Sequence, residues 1–419
     1  MADESSVPAG KRRLRVAVAG CVHGEIDKVY DTMAELEKDG KGKFELLICC
    51  GDYQSIRNYG DLAHMNVPNK YNKIQMFWKY YAGVKKAPVL TVFIGGNHEA
   101  SGYLMELPNG GWVAPNIYYM GFASVIRFAG LRIGGLSGIY KGDDFHRGSN
   151  ISVYHVRSFN IFRCMQLSCP IDIFFSHDWP TGIWNHGDVN RLLQVKPFFE
   201  ENIRKSKIGI PAAKDLLAHL RPRYWFAAHM HVEFRALVQH LARNKKEEDS
   251  ETRFLALDKP LPRRHFLESL TMDVDEDAPL HLSYDEEWLA ILKNTDHLLR
   301  ATKDKGYMPS ASKKGERWNF KPALDEVAAI RALGDLTIPL NFRQTAPPMK
   351  ADDSEASGAN PTPYYRNPQS SEFCTWLGIS DLNKILCDLD PTTVGVPQYL
   401  RAESEEELGD VQRDSDQKL

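Results

Sequence analysis

The sequence predicts a layered α/β protein with a smaller mixed C-terminal domain, and three observations carry that expectation. Apolar runs of strand length alternate with helix-period segments in the N-terminal part, the pattern of parallel strands joined by crossover helices. Five apolar runs end in a turn followed by metal-type ligands: Val16 to Gly20 into Cys21-Val22-His23, Leu46 to Cys50 into Gly51-Asp52, Val89 to Ile94 into Gly95-Gly96-Asn97-His98-Glu99, Ile171 to Phe175 into Ser176-His177-Asp178, and Tyr224 to Ala228 into His229-Met230-His231. The carboxyl ends of strands are where α/β sheets place their chemistry. Finally, 419 residues exceed the ~250–300 at which one core stops growing, so a second domain or a large appendage follows.

The first strand runs from Leu14 to Gly20, and Gly24 turns the chain into a helix from about Ile26 to Asp39, with Ile26, Val29, Tyr30 and Met33 at core-facing spacing. Phe44 to Cys50 is a continuous apolar strand. After a polar loop at Tyr53 to Asn58, a helix over Tyr71 to Ala82 carries Ile74, Phe77, Trp78 and Tyr81 on one face and leads into strand Val89 to Ile94. From Ile117 to Ser137 short runs separated by glycines, with no helix between them, predict antiparallel strands. Gly138 to Asn150 is polar and Gly-rich, suited equally to a loop that contacts a charged partner and to a plain connector. A helix near Val153 to Leu167, strand Ile171 to Phe175, a helix at Pro211 to Leu220 and strand Arg223 to Ala228 complete this part, with Val232 to Val238 beside the last strand.

The charge run Arg243 to Glu251 reads as a solvated boundary, which places one domain at 1–242 and a second at 252–390. In the second, Phe254 to Leu257 is a short strand, Tyr284 to Leu299 and Lys321 to Leu333 are helical, Ala346 to Gln369 is a linker, and Phe373 to Leu389 is amphipathic. Residues 391–419, with the acidic run Glu403 to Glu407, read as a disordered tail. Lys plus Arg (52) nearly balances Asp plus Glu (55), so no global basic field would hold nucleic acid and any RNA must be gripped locally. No apolar run approaches a membrane span, and seven cysteines without framework spacing predict free thiols in a reducing compartment. Lys11 to Arg15 is either a weak nuclear signal or a solvated approach to the first strand.

Two divalent metals held together need a bridging carboxylate, neutral nitrogen donors and open positions. Asp52 is the natural bridge; His23 and His231 would complete one metal, and Asn97, His177 and His229 the other. His98 is left over. Any one of these histidines alone suits a core position bonded to a carbonyl, and it is their joint placement at separate strand ends that points to metal.

These blocks resemble the calcineurin-like metallophosphoesterases, whose pattern is Asp-x-His, Gly-Asp, Gly-Asn-His-Glu, His and Gly-His-x-His. Cys21 stands where that family has an aspartate, and Ala228 replaces the last glycine. Cys-x-His-Gly, Gly51-Asp52-Tyr53-Gln54-Ser55-Ile56-Arg57-Asn58, Ser176-His177-Asp178-Trp179-Pro180, Phe254-Leu255-Ala256-Leu257-Asp258-Lys259 and Phe373-Cys374 narrow the resemblance to RNA lariat debranching enzymes, over nearly the whole chain. The resemblance implies a metallophosphoesterase β-sandwich flanked by helices, a lariat recognition loop in the 138–165 region, and hydrolysis of the 2',5'-phosphodiester at an intron branch point. It also implies two divalent ions (iron(II), zinc or manganese), His98 as general acid, and Glu99 or Asp178 orienting imidazoles. Tyr53, Arg57, Asn58, Tyr140 and Lys141 are the candidate substrate contacts. A Cys21 thiolate would favour zinc or iron(II), whereas an uncoordinated thiol would leave the first metal a ligand short. A nuclear, monomeric enzyme is implied, with splicing-related proteins as partners of the second domain. The rivals are a protein serine/threonine phosphatase, a less specific phosphodiesterase, and a scaffold that kept the fold and lost catalysis; for the scaffold, Cys21 is the one supporting feature.

Overall fold

A computed structural model describes residues 8–148, 153–244, 248–302, 304–350 and 360–389. Its strands are β1 (Lys11–Ala19), β2 (Leu46–Cys49), β3 (Thr91–Phe93), β4 (Gly111–Ala114), β5 (Ile117–Tyr119), β6 (Ala123–Phe128), β7 (Leu131–Leu136), β8 (Ile173–Ser176), β9 (Tyr224–Ala227), β10 (Phe234–His240), β11 (Ser250–Ala256), β12 (Leu267–Asp275) and β13 (Ser283–Tyr284). They form a six-stranded sheet ordered β12-β1-β2-β3-β5-β4 and a seven-stranded sheet ordered β10-β11-β9-β8-β7-β6-β13. β1, β2, β3 and β5 are parallel, as are β7, β8, β9 and β11, and antiparallel strands close the edges.

Side-chain alternation explains why these sheets stack. Val16 and Val18 of β1 enter a core shared with Ile133, Ile173, Phe175 and Phe226 of the other sheet, while Ala17 and Ala19 face a second core under the helix Ile26–Leu36. A third core lies on the far side of the second sheet, where Phe174 and Trp225 meet the helices Ser158–Cys164, Pro211–Leu220 and Glu286–Asn294. The result is a four-layer helix-sheet-sheet-helix stack, the expected sandwich. Because both faces of each central strand are covered, the strands read as continuous apolar runs.

The C-terminal part is woven into this stack. β11 lies between β9 and β10, and β12 pairs with β1 over nine residues from Lys11↔Asp275 to Ala19↔Leu267. The charge run expected to mark a boundary is therefore the connection of a β10–β11 hairpin, with residues 245–247 outside the described set. The helix expected at Pro211 to Leu220 forms over those residues, but others are shorter or divided. Only Phe77–Tyr81 of the segment Tyr71 to Ala82 is α-helical, since Asn72, at ψ 80°, leaves the helical region after the short turn Asn69–Tyr71. The segment near Val153 to Leu167 is helical over Ser158–Cys164. Phe373 to Leu389 is two helices, Pro368–Leu377 and Leu382–Leu389, because Gly378 adopts a left-handed φ of 73° that ends the first. The acidic tail lies outside the described residues. No described helix is long and apolar enough to cross a membrane.

Candidate metal centre

The five turns that follow β1, β2, β3, β8 and β9 meet at one edge of the sandwich. Backbone bonds tie the first two together: Val22 N donates to the Gly51 carbonyl at 3.2 Å and His23 N to the Asp52 carbonyl at 2.6 Å. Glu99 ties in the third, its carboxylate accepting from the backbone N–H groups of Tyr53 (2.8 Å), Gln54 (2.8 Å) and Gly96 (3.0 Å). Glycine is required in two of these turns by contact. A Cβ on Gly51 would lie 2.4 Å from His177 Nδ1, and one on Gly96 would lie 2.2 Å from Asp52 Oδ1. His23, Asp52, His229 and His231 hold left-handed φ values of 48°, 47°, 63° and 48°, conformations that cost non-glycine residues roughly 1–3 kcal/mol each and cluster at functional sites.

Two donor groups result, and Asp52 belongs to both. Donor atoms of Cys21, His23, Asp52 and His231 all lie within 4.8 Å of one another, with His23 Nε2 2.9 Å from His231 Nε2 and 3.7 Å from Asp52 Oδ2. On the other side His177 Nε2 is 3.4 Å from Asp52 Oδ1 and 3.1 Å from Asn97 Oδ1, and the His229 ring sits 5.1 Å from the His177 ring. Asp52 Oδ1 also accepts the His98 backbone N–H at 2.8 Å, whereas Oδ2 is buried without a hydrogen-bond partner, as is His229 Nδ1.

Backbone carbonyls orient the imidazoles. Donation of His177 Nδ1 to the Cys50 carbonyl (2.7 Å) turns Nε2 toward Asp52 and Asn97. His98 Nδ1 donates to the Asn66 carbonyl at 2.8 Å, and Asn97 Nδ2 then donates to His98 Nε2 at 3.1 Å, which points Asn97 Oδ1 at His177. Glu99 and Asp178, expected to orient imidazoles, bond to backbone instead: Asp178 accepts from Trp179 N at 2.8 Å and Tyr140 N at 3.5 Å. Backbone carbonyls have no residue-type signature, so these supports left no mark in the sequence.

The ionisation states suit a cation. Burial drives His229 down to about 3 and His23 down to about 4, and holds His231 well below the usual imidazole range, which keeps all three in the neutral form that ligates metal. Burial alone would raise Asp52, yet the His177 imidazole beside it holds the carboxyl well below the usual range. Burial likewise lowers His177, and the Asp52 carboxylate overrides that and raises it. Burial, and after it the charge of Asp52, pushes the Cys21 thiol well up, so Cys21 ionises only against a cation; its Sγ accepts from His229 N at 3.1 Å. A buried anionic oxygen without a donor, ringed by neutral nitrogen and sulfur atoms, fits divalent metal.

The expected substrate contacts divide. Tyr53 is fully buried and stacked on Phe93 at 4.1 Å, with no face for RNA. Arg57, also fully buried, is bound by Asp61, Glu106 and Thr345. Asn58 donates to the Pro347 carbonyl and accepts from Thr362, joining the first part of the chain to the C-terminal part. The motif following Asp52 is thus internal scaffolding, because its polar side chains face the returning C-terminal segment. Tyr140 (37% exposed) and Lys141 remain at the surface beside Asp178. Sequence reasoning assigned no role to Lys259, whose charge helps hold His23 and His231 neutral.

A calcineurin-like phosphoesterase model matches residues 14–233, and the model of the lariat debranching enzyme C-terminal domain matches residues 249–382. A lariat debranching enzyme of Caenorhabditis briggsae is 52% identical over 96% of this chain and 83% of its own length. This chain belongs to the lariat debranching enzymes. Other lariat debranching enzymes align comparably: that of Homo sapiens is 48% identical over 88% of this chain and 70% of its own, and that of Drosophila melanogaster 44% identical over 88% and 78%. The phosphoesterase match implies use of divalent metal, in agreement with the donor set around Asp52.

Proposed function

We propose that this chain hydrolyses the 2',5'-phosphodiester at the branch point of intron lariat RNA, with two divalent ions at the Asp52 site and His98 as general acid. Family membership supports the reaction, and the observation that carries the chemistry is the buried Asp52 Oδ2, without a hydrogen-bond partner, between two groups of donor atoms. Cys21, His23, Asp52 and His231 would hold one ion, and Asp52, Asn97, His177 and His229 the other. Such ions supply Lewis-acid polarisation of the phosphate and lower the pKa of water toward ~7.

The protein's own contribution is positioning and proton transfer. Water attacks phosphorus and gives up its proton to solvent, the bond from phosphorus to the 2'-oxygen breaks, and that oxygen takes a proton from His98 Nε2, which solvent later restores. Anchoring of His98 Nδ1 on the Asn66 carbonyl fixes the ring, so only Nε2 faces the reaction. To serve as acid Nε2 carries a proton of its own, and the Asn97 amide now donating to it yields that place to the leaving oxygen. Lys259 adds positive charge beside His23 and His231, where a phosphate would lie. Tyr140 and Lys141 are the surface groups available to the branch nucleotide. The Cys21 thiol favours iron(II) or zinc over the harder manganese. A nuclear location and contact of the C-terminal part with splicing-related proteins complete this reading.

The test compares a synthetic 2',5'-branched RNA with linear 3',5' RNA and a phosphomonoester, and measures metal content of the same preparation. Selective cleavage of the branch by protein holding about two transition-metal ions is expected. Preference for the monoester, or a folded, metal-free and inert protein, refutes the assignment.

A further inference from the structure

A chain of aromatic rings leads away from the metal centre and ends on a residue outside the loop where it begins. Tyr140 N bonds to Asp178, next in sequence to His177. The Tyr140 ring lies 5.6 Å from Phe145, Phe145 lies 5.0 Å from His146, and His146 lies 4.6 Å from Tyr307. Tyr307 comes from the C-terminal part and is clamped onto the loop by backbone bonds, Gly306 N to the His146 carbonyl at 2.7 Å and Gly148 N to the Thr302 carbonyl at 3.1 Å. Yet its own side chain is not core: Tyr307 is 63% exposed, and Tyr140 at the other end is 37% exposed. Near the rings, Arg300 packs against Gly306, while Arg147 and Lys305 lie 3.4 Å from Asp144 and 4.0 Å from Asp143. Exposed aromatic rings with basic side chains beside them suit single-stranded nucleic acid, since every base offers a face to stack and every nucleotide a phosphate.

We propose that Tyr307, with His146 beneath it, is a stacking platform for a base in one RNA arm leaving the branch, several nucleotides from the reacting phosphate. This rests on the debranching reading above and adds to it a specificity residue supplied by the C-terminal part. It accounts for the clamp, because the backbone bonds hold the Tyr307 ring in register with His146 although little apolar burial rewards that position. Acting on binding and not on chemistry, the platform matters only for substrates whose arm reaches it.

The test uses the full chain with its metals, wild type beside Tyr307→Ala and Tyr307→Trp. Two branched RNAs are compared, one with every arm extended by about ten nucleotides and one trimmed to the branch trinucleotide. Loss of one stacked base predicts a KM rise of about 5- to 150-fold for Tyr307→Ala on the extended RNA, with kcat unchanged and no effect on the trimmed one. Tyr307→Trp keeps the wild-type KM, which a purely structural role for the phenol would not allow. If wild type cleaves both RNAs and Tyr307→Ala matches it on the extended one, or loses equally on both, this inference falls alone. A wild type inert toward both removes the debranching reading and takes this inference with it.

Discussion

Replacing Arg57 by Ala should unfold this protein more easily and leave RNA binding by the folded fraction intact. The guanidinium has no solvent exposure and spends its donors internally: Nε and Nη2 reach the two Asp61 oxygens at 2.9 and 3.0 Å, and Nη1 reaches Glu106 Oε1 at 2.8 Å and Thr345 Oγ1 at 2.9 Å. It also lies 4.1 Å over the Tyr103 ring. Truncation strands two buried carboxylates, and removing one partner of such a cluster costs about 3–5 kcal/mol. Glu106 lessens the cost by taking up a proton, since burial already pushes it up to about 7 against the pull of Arg57. Asp61 keeps the backbone N–H of Arg57 and the nearby His64 but loses both guanidinium bonds, so most of the penalty falls there. The assay is thermal or urea unfolding of wild type, Arg57→Ala, and Arg57→Ala combined with Asp61→Asn and Glu106→Gln. The single variant should unfold far earlier and the triple variant recover part of the loss. Unchanged unfolding with a raised KM would show that Arg57 meets substrate and that the burial argument is wrong.

His98→Ala should lower kcat about 10²–10⁴-fold while metal content stays at the wild-type level, because the His98 ring belongs to neither donor group; elemental analysis beside single-turnover cleavage checks both halves. Gly96→Ala forces a methyl to within 2.2 Å of Asp52 Oδ1, so displacement of the bridge should cost about 10²-fold in activity and reduce bound metal together, whereas Gly83→Ala, at a left-handed φ of 76° with no neighbour within 4 Å, should lower stability alone. Chelation should lower the unfolding temperature, because the folded state alone presents the converged donors, and readdition of iron(II) or zinc should restore it; a temperature indifferent to chelator would count against the site. His155 lies 2.8 Å from Asp144 and holds its carboxyl down to about 2, well under its unfolded value. That folded-state depression stabilises the loop above roughly pH 4 and is lost as pH falls through about 2, so any stability advantage of wild type over Asp144→Asn should shrink as pH falls from roughly 4 toward about 2, read by unfolding at a series of pH values.

Local chemistry made much of this protein legible from its residues alone. Strands covered on both faces are written as unbroken apolar runs, and a donor placed at a strand's carboxyl end follows its run immediately, so Asp52, Asn97, His177 and His229 can be picked out without coordinates. The layered α/β class follows from the same alternation. What depends on residues distant in sequence could not be read this way. Tyr53, Arg57 and Asn58 look like substrate contacts beside Asp52, and only the approach of Thr345, Pro347, Thr362 and Phe93 shows them to be internal. The charge run at 243–251 looks like a boundary, and only the antiparallel pairing of β10 with β11 makes it a hairpin connection. The carbonyls of Cys50 and Asn66 that aim His177 and His98 belong to the backbone, which is the same at every residue. Patterns of side-chain type report whether a position meets solvent or core, but which distant group fills the space opposite it is set by how the sheets close, and that is decided only when the chain folds.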